Sequence, residues 1–187
     1  PQHRRQRQMC IRDSANGDHR PYNLNRLELR ICDFVDNPVL QLALVALLEA
    51  RLWQLFNDPS LDPLEKSNFS TTSRSEDLVA LANNNEIAVA RHSLEAQVFH
   101  WQDGRTILAR NWIEEIYQQV LPFAKERGFS CFLSPIKKIL REGNTAQKWL
   151  QQYGSSLNTQ SVIKTATLEM AQQEEELEDK LCQSMVA

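Results

Sequence analysis

The segment Leu24–Cys32, LNRLELRIC, decides how the chain is read. Over most of its length apolar and polar residues alternate, the period of two that marks a half-buried strand. Leu27, Leu29 and Ile31 fall on one face; Arg26, Glu28 and Arg30 fall on the other. Asp36-Asn37-Pro38 then supplies a cap and a proline suited to a first helical turn. The helix predicted from there to about Phe56 is apolar nearly all round, the mark of a buried helix.

The 187 residues are 42% hydrophobic and 24% charged, which excludes a disordered or collagen-like chain and fits one domain or a large piece of one. No apolar run reaches the roughly 18 residues of a membrane span. The longest, Val39–Leu48, contains Gln41 and is followed by Glu49 and Arg51. The start shows no short apolar core with a cleavage site, so the expectation is a cytoplasmic protein with no membrane partner. A net charge of −3 leaves no electrostatic footprint for nucleic acid. The charge is uneven, with five Arg against two Asp in residues 1–20. Pro1–Ser14 (PQHRRQRQMCIRDS) has no helical or strand periodicity and reads as adapter-derived, non-native sequence or a disordered arm, so residues 1–15 are set aside. Cys10, Cys32, Cys131 and Cys182 are far apart with no C-x-x-C pair, and the four histidines lack metal-ligand spacing. Zinc and Ser-His-Asp chemistry have nothing to stand on.

Downstream, Asn57–Ser75 carries two prolines and many Ser, Thr and Asn, and is expected to be a mobile loop. Ser75-Glu76-Asp77 suggests a helix start running to about Ala82, with Asn83–Asn85 as a break and a short turn over Ile87–His92. Leu94–Trp101 and Thr106–Ala109 flank Gln102-Asp103-Gly104-Arg105, a hairpin signal. The remainder is expected to be helical. Asn111 with Glu114 has the spacing of a capping box; that helix should kink or stop near Pro122 and end by Gly128. Helices over about Phe132–Arg141 and Thr145–Gln152 should close at Gly143 and Gly154. The last should run from about Thr159 to Leu181, its acidic run Glu174–Asp179 being a solvated face.

Chemistry concentrates in Arg26–Asp33 (RLELRICD). Residues two apart on a strand lie about 6.6–7 Å apart on one face, so Glu28 and Arg30 project side by side. A carboxylate is a hard ligand suited to Mg²⁺, and a guanidinium can fork onto phosphate oxygens. Together they suit phosphoryl transfer. On spacing alone, the simpler account is an amphipathic strand whose Glu and Arg make ion pairs in water.

Four segments in order change that balance: PYNLNRLELRICD at Pro21–Asp33, the helix VLQLALVALLEARL, NEIAVARHSL at Asn85–Leu94, and REGNTAQ at Arg141–Gln147. From about Arg20 to Leu181 the chain resembles the C-terminal part of glutamate–cysteine ligases, of the cyanobacterial type within the carboxylate–amine ligase superfamily. The resemblance implies an α+β chain, a glutamine-synthetase-like fold fragment with antiparallel strands backed by several helices and a helical C-terminal half. It implies that residues 16–187 are the C-terminal portion of a single catalytic domain. The implied reaction is ATP- and Mg²⁺-dependent joining of glutamate, through γ-glutamyl phosphate, to cysteine, the first step of glutathione biosynthesis. Its partners would be these small molecules, and the fragment alone would be inactive.

By the same resemblance Glu28 would be a Mg²⁺ ligand and Arg30 the catalytic group on the transferred phosphate. Arg26, Asn85 and Arg91 would be substrate or nucleotide contacts, with Asn85 and Arg91 equally able to hold a turn. Asp33 would close the strand motif, and His92 would be structural. Ile87 stands where relatives often have Trp, and Ser93 where they often have glycine, which would force a slightly different turn. Two other readings stay open: a carboxylate–amine ligase using another amine, and a non-catalytic helical interaction module.

Overall fold

The structure, a computed structural model, describes residues 35–186, with side chains up to Asp179 and at Cys182. Arg26, Glu28, Arg30 and Asp33, and the strand expected to carry them, lie outside the described residues.

Helix α1 spans Pro38–Asn57, and its start follows the sequence: Asn37 Oδ1 accepts from the amides of Val39 and Leu40, with proline in the first turn. Its buried residues are Ala43, Ala46 and Ala50, spaced i, i+3 and i+7 on one stripe. That stripe meets Tyr117, Val120 and Ala124 of α4 (Ala109–Glu126), Ile136 and Leu140 of α5 (Ser134–Glu142), and Leu133 of the 3₁₀ turn Ser130–Leu133 between them. The expectation of a helix buried all round is corrected: Leu42, Val45 and Phe56 are 50, 55 and 80% exposed. Its described neighbours cover one stripe only, and apolar composition says nothing about how many neighbours a helix has. The expectation of no membrane-length run is corrected too. By length and composition α1 would cross a bilayer, a test that the core helix of a soluble protein also passes.

The stretch expected to be a mobile loop is built of short turns. Asp58 and Asp62 cap a 3₁₀ turn over Pro59–Leu61 and the single-turn helix α2 (Pro63–Lys66), each with proline directly after the cap. The Arg74 guanidinium then gathers the carbonyls of Leu64 (2.7 Å), Glu65 (3.0 Å) and Phe69 (3.1 Å). Helix α3 (Arg74–His92) runs unbroken through Asn83–Asn85, contrary to expectation. The Asn85 amide is engaged on another element, so it does not compete for its own helix's backbone.

The hairpin forms where Asp103-Gly104 predicts it. Strands β1 (Gln97–Phe99) and β2 (Thr106–Leu108) pair antiparallel with Val98 opposite Ile107. Helix α4 starts at Ala109, two residues before the predicted Asn111 cap, with no side-chain cap. The Ala109 N–H instead donates to the Ala96 carbonyl at 2.8 Å, so the hairpin satisfies a helix-end donor. The helix also continues through Pro122 to Glu126, held by the burial of Val120 and Ala124 around it. Helix α6 (Thr145–Ser156) runs past Gly154 and stops at Leu157, which takes a left-handed conformation, while Gly143 does end α5. Helix α7 spans Thr159–Val186, burying Val162 and Ala166 and exposing most of its acidic run. The described residues are thus mostly helical with one two-stranded antiparallel sheet, consistent with the α+β class.

Arg74→Ala leaves three carbonyls without their donor. It is expected to cost about 1–3 kcal/mol in denaturant unfolding and to speed amide exchange over residues 63–70, leaving the hairpin protected. Unchanged exchange there would show that the turns hold themselves.

Candidate functional site

Where α3 ends, the chain turns through Ser93 at φ 53° and ψ −130°. Glycine takes this conformation freely and other residues rarely do, because Cβ crowds the backbone. Ser93 therefore adopts a glycine-like backbone itself. Its hydroxyl accepts a 2.6 Å hydrogen bond from Asn144 Nδ2.

Asn144 also begins α6. Its Oδ1 accepts from the Gln147 amide at 2.9 Å while Gln147 Oε1 accepts from the Asn144 amide at 3.1 Å, a reciprocal capping box. Gly143 (φ 90°) leaves room for it, since a Cβ there would stand 3.2 Å from Gln147 Oε1. Next door the Thr145 hydroxyl donates to Asp36 Oδ1 at 2.9 Å. A second tether runs alongside. Arg110, in the first turn of α4, pairs with Glu95 just after Ser93 and donates to the Leu140 carbonyl at 2.6 Å, just before Gly143. The turns at Ser93 and Gly143 are thus fastened twice, and the segments NEIAVARHSL and REGNTAQ meet in space.

Arg91 and His92 sit exposed in the last turn of α3, where the helix dipole favours cations. Beyond the other turn, Arg141 (2.9 Å), Lys138 (3.9 Å) and Lys148 (3.9 Å) share the carboxylate of Glu142. The Arg141 hydrogen bond, aided by both lysines, holds that carboxyl below its usual range. Three cations around one carboxylate leave this side cationic, which suits an anionic ligand.

The structure separates two predicted site residues. Asn85 spends its whole amide on Phe99: Nδ2 donates to the Phe99 carbonyl and Oδ1 accepts its N–H, both at 2.8 Å. It works as an extra rung at the end of β1. Arg91 lies six positions further along α3, on another face, and makes no hydrogen bond or ion pair among the described residues. Among the described residues no three His, Cys, Asp or Glu side chains converge. Sequence reasoning missed the parts played by Asp36, Ser93, Asn144 and Arg110. The Asn144–Gln147 spacing was the one signal available.

Residues 2–184 match glutamate–cysteine ligase family 2. The chain belongs to this family. A relative from Rubrobacter xylanophilus, provisionally named glutamate–cysteine ligase 2-3, is 29% identical over 132 residues. The alignment covers 70% of this chain and 32% of the relative, so the chain spans about a third of that protein's length. No solved structure matches the chain.

A Ser93→Ala, Ser93→Gly pair tests the turn. Alanine keeps the strain and strands Asn144 Nδ2, and is expected to lower stability by about 1–2 kcal/mol. Glycine loses the same bond but relieves the strain, and is expected within about 1 kcal/mol of the wild type. Equal melting of the two variants would mean the backbone there is unstrained.

Proposed function

We propose that this chain is the C-terminal portion of the catalytic domain of an ATP-dependent glutamate–cysteine ligase, with a glutamine-synthetase-like fold. The observation that carries the reading is the match to glutamate–cysteine ligase family 2 over residues 2–184. The junction supports it, because Ser93–Asn144 and Asp36–Thr145 bonds join segments that the sequence could place only in order.

A carboxylate is a poor acyl donor, because displacing oxide from it is prohibitive. In the proposed reaction the γ-carboxylate of glutamate attacks the γ-phosphorus of ATP and ADP leaves, giving γ-glutamyl phosphate. The amine of cysteine attacks the acyl carbon, phosphate departs with the bonding pair, and the amine gives up a proton as the amide forms. Bringing these anions together demands positive charge fixed in advance. Arg30 is the proposed partner of the transferred phosphate, with Arg26 and Arg91 available to anionic groups of substrate or nucleotide. Glu28 is the proposed ligand for Mg²⁺, which would neutralise phosphate charge when bound. Asn85 and Asn144 are assigned to holding the framework. The reading carries with it a cytoplasmic protein acting on small molecules.

The test is made in the full-length protein that contains this chain. Glu28→Gln is expected to lower kcat for phosphate release by about 10²-fold or more, and to weaken the Mg²⁺ dependence, with the melting temperature unchanged. An unaltered rate would overturn the assignment and favour a non-catalytic module. Cysteine should outperform other amines as acceptor; a better substrate among those amines would instead indicate a related carboxylate–amine ligase.

A further inference from the structure

The hairpin tip holds a histidine that the proposed ligation does not use. His100 directly follows β1, and its side chain is 12% exposed. The ring stacks on Trp101 at 5.9 Å and tilts against Trp112 of α4 at 5.0 Å. Its Nδ1 has two competitors. The Gln102 N–H points at it from 3.3 Å, and Asp103 Oδ1 lies 3.3 Å away. These demands are incompatible: accepting from Gln102 needs a bare Nδ1, whereas binding the carboxylate needs Nδ1–H.

We propose that the hairpin tip is a proton-operated latch, in which neutral His100 accepts the Gln102 amide and protonated His100 releases it to donate to Asp103. Burial pulls the imidazole below its usual value, which keeps the Gln102-bound form dominant near neutrality. Asp103 pulls the other way, Arg105 opposes protonation, Glu115 of α4 favours it and Arg51 of α1 opposes it. These groups form a chain, because Arg105 bridges Asp103 (3.4 Å) and Glu115 (2.6 Å). Movement is confined to the tip. On the β1 side both backbone groups of Phe99 are gripped by Asn85, and the His100 N–H donates to the Arg105 carbonyl at 2.9 Å. The Gly104 N–H donates to the His100 carbonyl at 2.9 Å, so residues 101–103 are left to rearrange between fixed ends.

Because the native state disfavours the proton, stability from this group is present above the free imidazole value of about 6.5 and falls as pH drops below it. The experiment is a pH titration of the 187-residue chain, following tryptophan emission and the amide shift of Gln102. Expected is a one-proton transition below pH ~6.5, common to Trp emission, the His100 ring and the Gln102 amide. His100→Asn offers an oxygen to Gln102 that does not titrate and should abolish the transition. Asp103→Asn keeps an oxygen for the Arg105 N–H, which donates to Asp103 Oδ1 at 3.1 Å, but removes the carboxylate charge, and should move the midpoint to lower pH. A Gln102 amide that stays still while the His100 ring titrates would overturn the proposal, even if the asparagine variant failed to fold. So would a midpoint that Asp103→Asn leaves in place or raises.

Discussion

Three alanines set the spacing of the described helices. Ala43, Ala46 and Ala50 line the inner stripe of α1, and two of them are fully buried. A side chain of one methyl group lets α1 approach α4 closely enough for Val120, Ala124 and Leu133 to be fully buried, with Ile136 nearly so. Everything that positions the candidate site hangs from those helices. Arg110 projects from the first turn of α4, and Leu140, whose carbonyl it holds, belongs to the same core. A shift of α4 against α1 would carry the Ser93 and Gly143 turns with it.

Around that apolar centre the polar bonds decide direction. Two of them join helix ends, Asp36 to Thr145 and Ser93 to Asn144, and a third runs from Asn37 at the start of α1 to Gln173 in the middle of α7 at 2.6 Å. Helix ends carry unsatisfied backbone groups and tight turns, so side chains there do two jobs at once. Asn144 caps its own helix and holds a strained residue of another. The Ser93–Asn144 bond thereby holds the end of α3, whose last turn carries Arg91.

Local signals were legible and non-local ones were not. Asn37-Pro38 announced α1, Asp103-Gly104 announced the hairpin, and Gly143 marked the end of α5, because each acts within a few residues. The Asp-Pro pairs at 58–59 and 62–63 are also local caps, yet the segment read as a loop because composition does not show that Arg74, near its end, reaches back 10 positions to the Leu64 carbonyl. Asn83–Asn85 misled for a related reason: asparagine breaks a helix when its amide turns on its own backbone, and here one amide is drawn to Phe99, 14 positions on. The Ser93–Asn144 contact spans 51 positions, beyond any spacing rule. The family was legible because four ordered segments needed no knowledge of contacts. Arg26, Glu28 and Arg30, the chemical heart of that reading, lie outside the described residues.

The two sides of α1 should therefore drift at different speeds. On the alanine side an added methylene has nowhere to go, so the helix can exchange residues there only if its neighbours change in step. On the other side Val45, Leu48 and Phe56 are exposed, so swaps among aliphatic and aromatic residues meet less packing there than on the alanine stripe. Across related chains this one helix should show an almost invariant stripe of small residues running beside a band that is free to vary in shape.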